Sequence, residues 1–290
     1  MSAARNIVAE GRDTLLVLQG LAVDRQDIQA IAKITRAQSI QDFAPNVFKL
    51  RSAEPHPELA ARCRAARLDF AFVPVELKLS YFKLVAMDMD STLINIESLD
   101  EVADYAGLKQ EVSAITERSM NGEIDFSESL RYRVALLKGL DASALERVYE
   151  ERLELNPGAE KLIAALQKHD IYTLLVSGGF TFFTERLKRR LGLNFACANE
   201  LEIIDGKLTG AIVGPLLDPN GKADKLREVG AMLDIDGAGQ IVAIGDGAND
   251  CPMFDAAGTA IAYHGKPVVR SHARYCIDHV GLDGVLNLFA

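Results

Sequence analysis

An α/β architecture, a parallel sheet covered by helices on both faces and preceded by a smaller α+β unit, is the fold class that the sequence predicts. Three observations predict it. From Tyr81 onward short apolar runs alternate with segments of helical periodicity, the order that a parallel sheet with crossover helices requires. The runs at residues 84–87 and 241–244 are apolar throughout and those at 171–176 and 259–262 are apolar but for one threonine each, as strands buried on both faces are. Three of them stop abruptly in polar residues fit for chemistry, at Asp88-x-Asp90, Ser177-Gly178-Gly179 and Gly245-Asp246-x-x-Asn249-Asp250.

Composition narrows the class further. At 290 residues, 49% hydrophobic and 25% charged, the chain resembles an ordinary soluble protein with room for two domains. No apolar stretch approaches the roughly 20 residues that a membrane span needs, and Met1-Ser2-Ala3-Ala4-Arg5 opens no signal-peptide core. A cytoplasmic location with no membrane association is therefore expected. Cys63, Cys197, Cys251 and Cys276 are widely spaced and form no C-x-x-C pair, so reduced thiols are expected rather than zinc ligands or a disulfide frame. A net charge of −9 argues against general nucleic-acid binding. It leaves room for an anionic small-molecule substrate, because local cations and backbone N–H groups decide that.

The first unit occupies residues 1–80, with its structure expected over 13–79. Thr14-Leu15-Leu16-Val17-Leu18 predicts a strand, and Ile28, Ile31, Ala32 and Ile34 predict an amphipathic helix after Asp24. Residues 46–50 predict a second strand, 56–67 a Pro-flanked helix, and 70–75 a closing strand. This order suggests an ACT-like α+β sandwich, and nothing in it resembles catalytic equipment. Dimerisation, giving a homodimer, or effector binding is its expected role.

The second unit runs over residues 81–290. After the strand at 84–87, residues 97–155 hold no convincing strand, and Leu130, Val134 and Leu137, then Leu145, Val148 and Leu153, fall at helical spacing. This predicts a helical insert ended by Asn156-Pro157-Gly158. A helix through Leu162, Ile163 and Leu166 leads to the strand at 171–176, and Phe183, Leu187 and Leu191 mark the next helix. Residues 201–209 predict a hairpin with Asp205-Gly206 as its turn. A helix is expected after Lys222, before the strands at 241–244 and 259–262.

In open α/β sheets the carboxyl ends of the strands line the ligand crevice, so the three polar strand ends should converge. Strand alternation puts Asp88 and Asp90 on one side. Two carboxylates that close repel unless one is protonated or a cation binds between them, and oxygen-only ligation suits Mg2+. Ser177 with two glycines offers a hydroxyl and open backbone N–H groups for an anion. Each motif also fits a turn or helix cap when taken singly.

Asp88-Met89-Asp90-Ser91-Thr92, Ser177-Gly178-Gly179, Lys222 and Gly245-Asp246-Gly247-Ala248-Asn249-Asp250, in that order with an insert after the first, resemble the haloacid dehalogenase (HAD) superfamily of phosphatases. With Glu97, Met120, Phe126 and Arg133 they look more closely like its phosphoserine phosphatase family. Met89 departs from the Phe that many relatives carry. The resemblance covers residues 81–290 and implies a Rossmann-like HAD core with a helical cap at about 97–155. It further implies a Mg2+-dependent hydrolysis of O-phospho-L-serine, the last step of L-serine biosynthesis, through an aspartyl-phosphate. On this likeness Asp88 is the nucleophile and Asp90 the general acid and base. Mg2+ is held by Asp88, the Asp90 carbonyl and Asp246, with Asp250 orienting ligand waters. Ser177, Gly178, Lys222 and Asn249 hold the phosphate end, Glu97 and Arg133 take the ammonium and carboxylate, and Met120 and Phe126 form an apolar lid.

Three alternatives share these residues. One is a relative acting on another small phosphomonoester, the second a phosphotransferase with an acceptor other than water. The third is a receiver-like module phosphorylated at Asp, normally about half this length and without a general acid two residues beyond the phosphoacceptor.

Overall fold

The computed structural model describes residues 13–289. Its first unit is a β-α-β-β-α-β sandwich: β1 (Thr14–Gln19), α1 (Arg25–Ile34), β2 (Ser39–Ala44), β3 (Val47–Arg51), α2 (Leu59–Ala65) and β4 (Asp69–Pro74). The antiparallel sheet has the order β2-β3-β1-β4, the split pattern that two such motifs form. Asp24 caps α1, its side chain accepting from Gln26 N at 2.8 Å. Leu16, Leu18, Phe48, Leu50 and Phe72 face α1 and α2, burying Ile28, Ile31, Leu59 and Cys63. The sequence reading missed β2, an edge strand whose residues are mostly exposed and so carry no apolar alternation. The helix expected from 56 to 67 is shorter, because the chain makes a turn at Pro57 before Leu59.

The second sheet comprises β5 (Leu84–Met87), β6 (Tyr172–Phe180), β7 (Phe195–Ile204), β8 (Lys207–Val213), β9 (Ile241–Gly245), β10 (Thr259–Tyr263) and β11 (Tyr275–Ile277). Its order is β11-β10-β9-β5-β6-β7-β8, parallel except for β8 at one edge. Four helices separate β5 from the return of the chain: α3 (Ser98–Asp104), α4 (Lys109–Met120), α5 (Phe126–Ala135) and α6 (Ser143–Glu151). They form a cap over the carboxyl end of the sheet. The core helices are α7 (Ala159–Lys168), α8 (Thr181–Leu191), α9 (Pro219–Met232), α10 (Cys251–Ala256), α11 (Pro267–Arg270) and α12 (Gly284–Leu288).

The apolar character of β5 has a direct packing reason. Val85 and Met87 enter one buried cluster, whereas Leu84 and Ala86 enter another on the opposite face. A strand covered on both sides has no solvent face to make polar. Several details differ from the sequence reading. The hairpin expected at 201–209 is the far half of longer strands: β7 starts at Phe195, parallel to β6, and only later turns antiparallel to β8. Asp205 and Gly206 make the turn with φ of 49° and 75°, the left-handed pair that a two-residue hairpin needs. Helix α9 begins before Lys222, with Asp218 as its cap and Pro219 in the first turn. Strand β11, three residues long, is too short to show a period.

The first sheet turns its helix-free face to the core, where Val17, Val47, Ala71 and Val73 join the cluster that holds Phe82, Tyr275 and Phe289. Polar clamps fix this contact. Asp69, 5% exposed, accepts from three successive backbone N–H groups, those of Asp278 at 2.7 Å, His279 at 3.1 Å and Val280 at 3.1 Å. Gln19, opposite Asp69 across the β1–β4 pair, donates to Gly284 O and accepts from Asn287 at 2.7 Å. Replacing Asp69 with Ala strips the acceptor from all three N–H groups and is expected to cost about 2–4 kcal/mol of stability. Urea unfolding checks this, and a midpoint equal to the parent's would show that the clamp contributes nothing.

Candidate active site

The chain leaves β5 at Met87 and enters a tight loop closed by Ile94 N donating to Met89 O at 3.0 Å. Asp90 therefore lies beyond the strand. Its convergence with Asp88 comes from this loop rather than from strand alternation, which corrects the sequence reading. Ser91 occupies the left-handed region at φ 55° and makes the reversal. Asn156, on the segment that returns from the cap, donates to Thr92 O at 2.8 Å and Ile94 O at 3.0 Å, holding the loop in this shape.

Asp88, Asp90, Glu97, Met120, Phe126, Arg133, Ser177, Gly178 and Asn249 all line one cavity between cap and sheet. Lys222, Asp246 and Asp250 lie against its floor. Lys222 is fully buried, its Nζ 2.9 Å from Asp88 Oδ2 and 2.9 Å from Asp250 Oδ1. Burial alone would favour the neutral amine, but Asp250 and Asp88 hold it protonated, above the ordinary lysine range. Asn249 Nδ2 donates to Asp88 Oδ2 at 3.2 Å.

Two glycines make this crowding possible. A Cβ on Gly179 would come within 2.8 Å of Asp90 Oδ2, and one on Gly178 would collide with the ring of Phe126. The bare backbone at the end of β6 thus admits the Asp90 carboxylate from below and the cap aromatic from above. Ser177 Oγ accepts from Gly179 N at 2.9 Å, which fixes its oxygen and leaves its proton free to donate.

Oxygen atoms of Asp88, Asp246 and Asp250 lie within 4.8 Å of one another, all three buried. Asp250 is occupied: it takes Lys222 on one oxygen and the N–H groups of Asp246 at 3.0 Å and Gly247 at 3.2 Å on the other. Among the described residues Asp246 receives only the Thr92 hydroxyl, at 3.2 Å. Burial and then the charges of Asp250 and Asp88 push its carboxyl well above the usual range. Asn249 Oδ1 is buried without a partner. Three carboxylates facing one ammonium, an all-oxygen donor set and an orphaned amide oxygen are what a hard divalent cation would satisfy. The residues fit the magnesium that the family resemblance implies.

Burial, then the charge of Asp88, pushes Asp90 up to about 7. Its Oδ1 accepts from Ser98 N at 2.9 Å, the first N–H of α3. Glu97 is raised well above its ordinary value by burial and by Asp90 and Asp246, and it accepts from Ser91 Oγ at 2.6 Å. Arg133 is buried rather than on a solvated helix face.

The sequence reading overlooked several supporting residues. Asn199, 2% exposed, donates to Gly178 O at 2.9 Å and accepts from Leu217 N at 2.7 Å, tying the end of β6 to the loop that leads into α9 and Lys222. Asp100 and Thr116 stand behind Arg133. A lone Asn or Thr at such positions has no local signature, since its partner is distant in sequence.

The chain matches the family model of haloacid dehalogenase-like hydrolases over residues 85–255. It is 52% identical over 218 residues to a phosphoserine phosphatase of Polaromonas sp. strain JS666, covering 73% of this chain and 92% of that one. Among solved structures, a HAD family hydrolase from Salmonella enterica serovar Typhi superposes with a TM-score of 0.82 at 32% identity, covering 96% of this chain and 98% of the other. A substrate-bound phosphoserine phosphatase complex superposes with a TM-score of 0.69 at 39% identity, covering 72% and 99%. Fold, strand-end motifs and relatives agree, and the chain belongs to the haloacid dehalogenase-like hydrolase family.

Proposed function

We propose that this chain is a Mg2+-dependent phosphoserine phosphatase, releasing L-serine and phosphate from O-phospho-L-serine as the final step of serine synthesis. The observation that carries the reading is that one cavity is lined both by Asp88, Ser177 and Asn249, with Lys222 against Asp88, and by Glu97 and Arg133, an acid and a base that suit the ammonium and carboxylate of an amino acid. Its relatives named phosphoserine phosphatase support the same substrate.

In this reading a carboxylate oxygen of Asp88 attacks phosphorus and the bond to the serine oxygen breaks in line. Asp90 donates its proton to the departing oxygen, which spares the release of an alkoxide. Water then attacks the aspartyl-phosphate, Asp90 takes the proton back, and Asp88 is restored as phosphate leaves. A carboxyl poised near neutrality can serve in both directions. Asp88, the Asp90 carbonyl and Asp246, with Asp250 behind them, would hold the magnesium, which would supply charge neutralisation at the phosphoryl oxygens. Lys222, Ser177 and the Gly178 backbone hold those oxygens, while Met120 and Phe126 exclude water.

A phosphate-release assay with L-phosphoserine, with and without chelator, tests the reading. No preference for phosphoserine over glycolate or sugar phosphates would overturn it. Asp88→Asn is expected to abolish turnover with the fold retained. In kcat/KM, which reports the phosphorylation half, Asp90→Asn should lose about 10²–10⁴-fold on phosphoserine but much less on an aryl phosphate, whose leaving group needs no proton. Equal losses on both would refute the acid role. Adding Mg2+ to chelator-treated protein should raise the melting temperature, because a ligand bound only by the native state stabilises it. Asp246→Asn should remove that shift, and a parent protein that shows none would contradict the cation site.

A further inference from the structure

Arg133 is 5% exposed, and its hydrogen bonds go to neutral groups: Nε to Ser129 O at 3.3 Å and Nη1 to Thr116 Oγ1 at 2.8 Å. Thr116 Oγ1 lies 2.6 Å from Asp100 Oδ1, closer than its other acceptor, Val112 O at 3.0 Å. The single hydroxyl proton goes to the nearer, charged oxygen, and the hydroxyl lone pair receives Arg133. Asp100 and Thr116 are themselves buried, 6% and 3% exposed. The relay therefore joins α3, α4 and α5 at one point inside the cap. Burial works against the charge on Arg133, and Asp100, then Glu97 and Asp90, work to keep it.

The interposed hydroxyl matters chemically. A carboxylate placed directly on a guanidinium tends to take the fork bidentately, and the fork would then be unavailable to a ligand. A threonine hydroxyl takes one N–H, fixes the plane of the group, and passes on the counter-charge that a buried cation needs. Among the described residues its other donors take no acceptor, and Arg133 lines the cavity.

We propose that Thr116, backed by Asp100, is the positioning residue that aims Arg133 and so sets the demand for a carboxylate on the substrate. This deepens the phosphoserine reading and rests on it. Phosphoethanolamine, which keeps the phosphate and ammonium but lacks the carboxylate, separates the two claims.

Steady-state kinetics of the intact protein with Mg2+ provide the test. Thr116→Val, nearly isosteric, should raise KM for phosphoserine about tenfold, as loss of one charge-assisted hydrogen bond does. It should leave kcat within about threefold and the phosphoethanolamine parameters unchanged. Thr116→Ser, which restores the hydroxyl, should return KM to near the parent value. Asp100→Asn, which keeps an acceptor for Thr116 but removes the charge, should give a smaller increase with the same selectivity, and it carries the test if the valine variant fails to fold. A Thr116→Val protein that loses equally on both substrates, or on neither, or a serine variant that does not recover, overturns the positioning role. A parent enzyme that turns over both substrates with equal kcat/KM overturns the phosphoserine reading itself, and the proposal with it.

Discussion

The crowding of Asp88, Asp90, Asp246 and Asp250 around one buried ammonium is the constraint on which the rest of the site depends. Like charges out of water repel strongly, and each is tolerable only where a donor, a proton or a cation answers it. The molecule answers each differently. Asp250 is satisfied by Lys222 and two backbone N–H groups, Asp90 by the start of α3 and a pKa near neutrality, and Asp246 by little besides Thr92. The carboxylate with the fewest partners is thus the one best able to receive a metal. Environment alone thus gives residues of one chemical type different partners and different proton affinities.

Holding these groups at the required spacing falls to the rigid sheet. Strands β5, β6 and β9 are neighbours, and the three motifs leave their carboxyl ends side by side. The first core strand stands between later ones, so crossovers depart from it in both directions, and the crevice opens where such sheets bind ligands. The cap then closes this crevice with side chains from α4 and α5. The neck loop pinned by Asn156 and the bare backbone at Gly178 and Gly179 allow the close approach of cap and core.

The small N-terminal sheet buries its free face against the core and is clamped there by Asp69 and Gln19. Leu16, Leu18, Phe48 and Leu50 fall at alternate positions and share the face that packs on the helices. The second face, Val17, Val47 and Ala71, is apolar as well, and that pattern is legible only as burial on both sides. What covers it is not local information.

The chain alone determined which side chains gather at the candidate site. Asp88, Asp90, Ser177, Asn249 and Asp246 stand in short motifs at strand ends, where residue type, adjacent apolar runs and glycines follow from local backbone needs. Elements without a local pattern, such as the exposed edge strand β2, the three-residue β11 and the first half of β7, escaped because their pairing is set by neighbours far along the chain. The same holds for Asp100, Thr116 and Asn199, each meeting its partner through packing of separate helices or strands. Tertiary structure also decided how Asp88 and Asp90 converge, through the reversal at Ser91, and that Arg133 is buried and aimed rather than solvated. Periodicity records which face of an element avoids water; it carries no record of which distant polar atom that face will meet.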